Sequence, residues 1–299
     1  MVDITVSTGK NCVVGQFRAM ASPCEILLEP HDMVLCRQLT ELAAAEAERI
    51  EQKYSRYRSD SVLSELNRQA GSWQTRDVET MQLLAFADSC YQLSAGLFDI
   101  SSGILRRAWQ FDSSANIASQ QQLDALLPFI GWHKVKRNAN RLWLPAGMEL
   151  DLGGIAKEYA VDKVLQLLSQ QFVDAAMPSV VVNFGGDMRC SRPRDDGSLW
   201  RIGIENPSLA EHAISAVGLS NGALATSGDS RRFLLKDGVR YSHILNPKTG
   251  WPITNAPRSV TVAAPNCLLA GILATTALLQ GAEAEIFLKT QQLQYWLVP

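Results

Sequence analysis

The stretch Arg240-Tyr-Ser-His-Ile-Leu-Asn-Pro-Lys-Thr-Gly250 limits the folds open to this chain more than any other. Its first half alternates with a period of two. Tyr241, His243 and Leu245 fall on one side and Ser242 and Ile244 on the other, as in a half-buried strand. Its second half is turn chemistry: Pro247 fixes one dihedral, Asn246 can close a turn with its own side chain, and Gly250 tolerates a positive φ. A histidine is thus carried on a strand that runs straight into a tight polar turn. Rigid strands hold loop groups in fixed positions, so such a turn suits the polar end of a ligand. The plainer alternative is a half-buried strand histidine before a hairpin.

The rest of the chain mixes the strand and helix periods. A strand is expected from Gln16 to Glu29, broken by a turn at Ser22-Pro23. From about Asp32 to Tyr54, Leu35, Leu39, Leu42, Ala43, Ala47 and Ile50 recur at three- and four-residue steps, which predicts an amphipathic helix. Asp60 or Ser61 is placed to cap a short helix over Val62–Asn67, and Val78–Ser94 reads as a helix ended by Gly96. Another helix opens near Lys157 and runs to about Gln170, and Leu268–Gln280 is a fourth long one. Val180–Phe184, Ala223–Gly228 and Ser259–Ala264 read as strands, and Trp200–Glu205 with Ala213–Leu219 as a paired set. The order is not a regular βαβα alternation. The expected class is therefore α+β, with antiparallel sheets and packed helices, rather than a doubly wound sheet.

Charge and cysteine usage remove several function classes. A formal net charge of −2 offers no electrostatic reason to bind nucleic acid or an anionic membrane. The six cysteines, Cys12, Cys24, Cys36, Cys90, Cys190 and Cys267, are scattered without a CxxC pair, so reduced and mostly buried thiols are expected instead of a disulfide frame or zinc site. The apolar run from Cys267 to Leu279 is too short for a membrane span. Residues Met1 to Cys12 lack the pattern of a secretory signal, which makes the cytoplasm the expected location. Oligomeric state is not legible.

Three small-residue turns precede the histidine. Asp151-Leu-Gly-Gly-Ile-Ala-Lys157 puts two glycines at a helix entry, between a carboxylate and a lysine. Helix N-termini favour anions, and the lysine adds positive charge, a combination suited to phosphate. The spacing is neither GxGxxG nor a Walker A loop. Asn183-Phe-Gly-Gly-Asp187 and Ala225-Thr-Ser-Gly-Asp229 are the other two, each unremarkable alone.

In order, however, these segments resemble the ApbE-type flavin transferases, the FAD:protein FMN transferases. The resemblance runs from about Phe17 to Gly281. It takes in Met20-Ala-Ser-Pro, Ser55-Arg-Tyr-Arg-Ser-Asp-Ser61 with Leu66-Asn67, Phe98-Asp-Ile-Ser-Ser-Gly103 with Trp109, and Asp151 to Lys157. It continues through Tyr159-Ala-Val-Asp162, Asn183 to Asp187, Ala225 to Gly228, Tyr241 to Gly250, and Ala270 with Ala274-Thr275. It implies one ApbE-like domain over residues 17–299, preceded by an extension over residues 1–16. It also implies an enzyme that, with Mg²⁺, splits the pyrophosphate of FAD. The FMN half passes to a Thr or Ser hydroxyl of an acceptor flavoprotein, and AMP is released. By the same resemblance Met20, Tyr57, Phe98, Asp99, Asp151 and Lys157 line the FAD site, with Asp99 toward the adenine end. His243 and Ile244 lie near the pyrophosphate, His243 being the candidate base. A backbone carbonyl near Gly154 and the Thr275 hydroxyl reach the metal. Many family members are exported lipoproteins.

The last motif departs from the family. Where the family spells Ala-Asp-Ala-Leu-Ala-Thr, this chain reads Ala270-Gly-Ile-Leu-Ala-Thr275, so Gly271 stands where a carboxylate would share a helix face with Thr275. Mg²⁺ is bound mainly through carboxylates and substrate phosphates, so the loss bears directly on the metal. Asp187 and Asp229 are the candidate substitutes. Smaller departures are Asn246, often Asp in the family, and Ser230, which stands where an aromatic often follows the Ser-Gly-Asp. Three readings stay open: the transferase, an FAD-binding protein with an impaired metal site, and a hydrolase that splits FAD without an acceptor.

Overall fold

The computed structural model describes residues 2–111, 117–173, 175–207, 209–229 and 233–299; Ser230 lies outside them. The chain opens with strands β1 (Thr5–Thr8), β2 (Val13–Ala19) and β3 (Ser22–Glu29), then helices α1 (Met33–Tyr54) and α2 (Val62–Arg68). Next come β4 (Trp73–Thr75), α3 (Val78–Leu93), a 3-10 helix over Ile100–Arg107, and α4 (Gln120–Leu126). Strands β5 (Lys136–Arg137) and β6 (Arg141–Trp143) lead to α5 (Ala156–Ser169). Strands β7 (Ser179–Phe184), β8 (Asp187–Cys190), β9 (Trp200–Asn206), β10 (Leu209–Leu219), β11 (Gly222–Gly228), β12 (Phe233–Lys236), β13 (Val239–Ser242) and β14 (Ser259–Ala264) follow. The chain closes with α6 (Cys267–Leu279), α7 (Ala284–Thr290) and β15 (Tyr295–Val298).

Eight strands form one sheet in the order β1-β2-β3-β7-β8-β11-β14-β15. Every neighbouring pair in it is antiparallel, which is the expected α+β class. Residues Thr5 to Gln16 are themselves paired into this sheet, β1 with β2. The interruption expected at Ser22-Pro23 falls two residues earlier, at Met20-Ala21. Both residues have left-handed φ (51° and 58°), the geometry whose twist matches that of a two-residue hairpin. No glycine or asparagine marks that turn, which is why the sequence misplaced it.

One sheet face carries α1, α5 and α6. Helix α1 starts on the Asp32 side chain, which accepts from Leu35 N, and buries Cys36, Leu39, Ala43, Ala47 and Ile50 along a single stripe. Helix α6 is apolar nearly all round because it lies in the middle of the molecule. The β9–β10 hairpin covers part of the other face, where Trp200, Ile204 and Val217 meet Val181, Met188 and Leu224. Being covered on both sides, β7 reads as a continuous apolar run: Val180, Val182 and Phe184 face the helices and Val181 the hairpin. A third cluster gathers Ile104, Leu105, Trp109 and Leu123 with Tyr241, Leu245 and Trp251. All six cysteines are buried and unbridged. Among the described residues no helix is long and apolar enough to cross a membrane.

Candidate functional site

The 240–250 stretch is anchored in the third cluster. Strand β13 ends at Ser242, earlier than the alternation alone suggests, yet the sidedness holds: Tyr241 and Leu245 pack into the third cluster and Ile244 onto the main core. Asn246 closes the turn, its Oδ1 accepting from Lys248 N at 2.9 Å and its carbonyl from Gly250 N at 2.8 Å. Asparagine meets that need as an aspartate would. Gly250 has φ 75°, and a Cβ there would stand 3.1 Å from Leu123 Cδ2, so both backbone and space call for glycine. Its carbonyl accepts from Trp109 Nε1 at 2.8 Å, joining two segments 141 residues apart. Trp109 sits among Phe111, Tyr241 and Trp251, and the half-buried His243 ring meets Phe111 edge-on at 6.2 Å. A cavity of about 440 Å³ opens beside this stretch, lined by Asp229, Arg240, Ser242, Ile244, Ile253 and Arg258 among others.

A second group forms around Asp151. Its Oδ1 accepts from Gly153 N at 2.8 Å and its Oδ2 pairs with Arg56, whose other terminal nitrogen donates to the Tyr57 hydroxyl at 2.7 Å. Tyr57 is largely exposed beneath that guanidinium. The buried Phe98 ring packs against Gly154, where a Cβ would come to 3.1 Å. Asp99 does not project toward this group. It caps the 3-10 helix, with Oδ1 accepting from Ser101 N and Oγ and Oδ2 from Trp132 N at 3.0 Å. All of those bonds are internal, so its carboxylate orients the Phe98 loop.

The third group gathers at the start of α5, whose N-cap Ile155 provides no side-chain cap; the Leu152 carbonyl accepts instead from Ile155 N at 3.0 Å and Ala156 N at 2.8 Å. Lys157 is not a free charge there: its Nζ lies 2.6 Å from Oδ2 of the nearly fully buried Asp187. Burial by itself would lower the lysine's affinity for its proton, but Asp187 and then Glu158 more than reverse that. Asp187 Oδ1 accepts from Thr226 N at 3.1 Å, tying the pair to β11. One residue further along β11, Ser227 Oγ is 2.7 Å from Thr275 Oγ1 on α6. Ser22 comes near this group, since a Cβ on Gly185 would meet both Ser22 and, at 3.9 Å, Lys157 Nζ; Met20, two residues before Ser22, donates its backbone N–H to Glu51 Oε2 at 2.7 Å.

The acids proposed to replace the missing one at 271 are otherwise engaged. Asp187 holds Lys157, and Asp229 is clasped by Arg240 Nε at 2.8 Å and Arg258 Nε at 2.9 Å. Burial works to raise the Asp229 pKa, but the two guanidiniums hold it below the usual carboxylate value. The residue that sequence reasoning missed is Glu158. It is buried, its Oε2 has no hydrogen-bond partner, and its Cγ lies 2.6 Å from where a Cβ on Gly271 would be. Burial first, and the charge of Asp187 second, raise its pKa above the carboxylate range, against the pull of Lys157. Glu158 lies one residue past Lys157, yet it falls on the buried face of α5 with Ala160, Val161, Val164, Leu165 and Leu168.

An antiparallel sheet backed by helices, with a buried lysine–acid group at a helix start, defines the class: an α+β protein. The sequence profile of the ApbE family matches residues 20–297. A FAD:protein FMN transferase of Vibrio cholerae is 34% identical over 244 residues, covering 79% of this chain and 71% of the relative. One of Haemophilus influenzae is 31% identical over 243 residues, covering 77% and 69%. The crystal structure of the ApbE protein of Thermotoga maritima superposes with a TM-score of 0.85 at 27% identity, over 99% of this chain and 94% of that one. The flavin transferase ApbE of Vibrio cholerae gives 0.81 at 27% identity, over 99% and 94%. The chain belongs to the ApbE family.

Proposed function

We propose that this protein is an FAD:protein FMN transferase, with a hydroxyl-bearing flavoprotein as acceptor. The observation that carries the reading is the match to the family over residues 20–297, in a fold that superposes along nearly its whole length on solved flavin transferases. In the reaction an acceptor Thr or Ser oxygen attacks the phosphorus next to the riboflavin moiety. The bond to the bridging oxygen of the pyrophosphate breaks, and AMP leaves with that oxygen. The hydroxyl proton has to be removed as the new bond forms, and His243 is the group for this role. The Phe111 ring and the Asn246–Gly250 turn hold its ring and the segment after β13 that bears it. In this reading the start of α5 faces the phosphates, and the exposed Tyr57 ring, stacked under Arg56, offers a planar surface to the flavin or adenine.

Mg²⁺ belongs to the same proposal. Among the described residues no three His, Cys, Asp or Glu side chains converge as a metal-holding group. Mg²⁺ does not require one, because it commonly takes one or two protein carboxylates and completes its shell with substrate phosphates and water. The residues here fit that habit: a buried carboxylate with an unpartnered oxygen lies against α6, one turn from the Thr275 hydroxyl. Thr275 and a backbone carbonyl near Gly154 complete the protein's share. When bound, the cation neutralises pyrophosphate charge.

The test is incubation of the protein with FAD, Mg²⁺ and a flavoprotein bearing an acceptor threonine, followed by mass spectrometry of the acceptor. A gain of one FMN, with stoichiometric AMP, is expected. Release of free FMN with no modified acceptor, across several acceptors, would turn the reading into a hydrolase.

A further inference from the structure

We infer that Glu158 on α5 supplies the metal-site carboxylate that α6 lacks, and that Gly271 is glycine because the Glu158 side chain occupies its space. The inference rests on the metal-dependent reading above and specifies which acid serves it.

Two independent features of the molecule point the same way. The first is an unfilled valence. Glu158 is more than nine-tenths buried, yet Oε2 makes no hydrogen bond, and a buried polar atom without a partner is costly enough to call for an explanation. The second is steric. A Cβ built on Gly271 would lie 2.6 Å from Glu158 Cγ, 3.0 Å from its Cδ and 3.0 Å from its Oε1. The Cγ, Cδ and Oε1 atoms of Glu158 therefore lie over the bare backbone of Gly271. Thr275 follows one helical turn later on the same face of α6. The acid comes from α5 rather than α6, but it lies against the position from which an α6 acid would project. Asp187 and Asp229 cannot fill this role while they hold Lys157 and the two arginines.

The experiment is a Mn²⁺ titration of the FAD-loaded protein, with free Mn²⁺ counted by electron paramagnetic resonance and FAD affinity measured separately by flavin fluorescence. Glu158→Gln keeps the shape and removes the charge. It is expected to weaken Mn²⁺ binding by about tenfold or more, with FAD binding in the absence of metal retained. Glu158→Ala combined with Gly271→Asp moves the carboxylate back to α6 and is expected to recover Mn²⁺ binding that Glu158→Ala alone loses. If Glu158→Gln binds Mn²⁺ as tightly as the parent, or if the folded double variant recovers nothing, the assignment of Glu158 is wrong and metal dependence itself still stands. If the parent protein binds no Mn²⁺, the metal reading and this inference fall together.

Discussion

Gly271 sits in the middle of α6, where glycine costs about 1 kcal/mol relative to alanine, and the Glu158 side chain accounts for why it is tolerated. Restoring an aspartate there by itself would drive its Cβ into Glu158 and set two acids against each other in a buried space. Gly271→Asp alone is therefore expected to destabilise the protein by about 1–3 kcal/mol, read as a lower urea midpoint, and to bring no gain in transfer rate. A faster and equally stable variant would contradict the packing described here. His243 calls for a different measurement. His243→Ala is expected to slow FMN transfer by roughly 10²–10⁴-fold, while the flavin fluorescence titration stays close to that of the parent. Normal transfer by that variant would move the base elsewhere. At this scale the sequence singled out His243, Thr275 and the glycine at 271 as candidates, because each stands in a short ordered motif. It did not show that Lys157 is paired, or that Asp99 is occupied with Ser101 and Trp132, since those contacts join segments with no mark of partnership in the chain.

Between elements, charge is used to fasten helices. Glu79 on α3 accepts from Arg49 and pairs with Lys53, both on α1, and from the Tyr159 hydroxyl on α5 at 2.7 Å. The Arg49 hydrogen bond first, then Lys53 and Tyr159, hold the Glu79 carboxyl well below its ordinary pKa despite partial burial. Because the folded value is depressed, the stabilisation is complete above the unfolded value of about 4.3 and is lost as pH falls through the folded one. Glu79→Gln should accordingly lower the melting temperature at pH 7, and the gap from the parent should close progressively as the pH drops below about 4. A gap that persists unchanged into strong acid would mean that packing, not charge, is responsible. The helices involved were visible from periodicity, α1 and α3 within a residue or so of their ends, because each carries a clear cap at Asp32 and Asp77. The Met20-Ala21 turn was misplaced, since two non-glycine residues adopt left-handed φ there. The short strands β4 and β15 went unread, being only three and four residues long and set by their partners.

Over the whole molecule, the thiols report on integrity. All six are buried, and burial pushes Cys24 and Cys90 up to about 12 and Cys190 up to about 11. They lie in the sheet, in helices on one of its faces and in the cluster on the other, so no single loop opening exposes them together. A thiol reagent at pH 8 is expected to find none of them in the native protein and all six after denaturation. Rapid modification of one or two in the native state would reveal local opening at those positions. The α+β class was legible from the absence of βαβα order. The eight-strand order was not, because it depends on pairings such as β3 with β7, which joins Glu29 to Ser179 and Cys24 to Phe184 across half the chain.

The close fit of Glu158 over Gly271 also couples the two positions. An acid added at 271 while Glu158 is present would crowd two carboxylates into one space, and Glu158 removed while 271 stays glycine would leave the site without either. A change at either position alone is therefore expected to be harmful, and the two residues to be exchangeable only together.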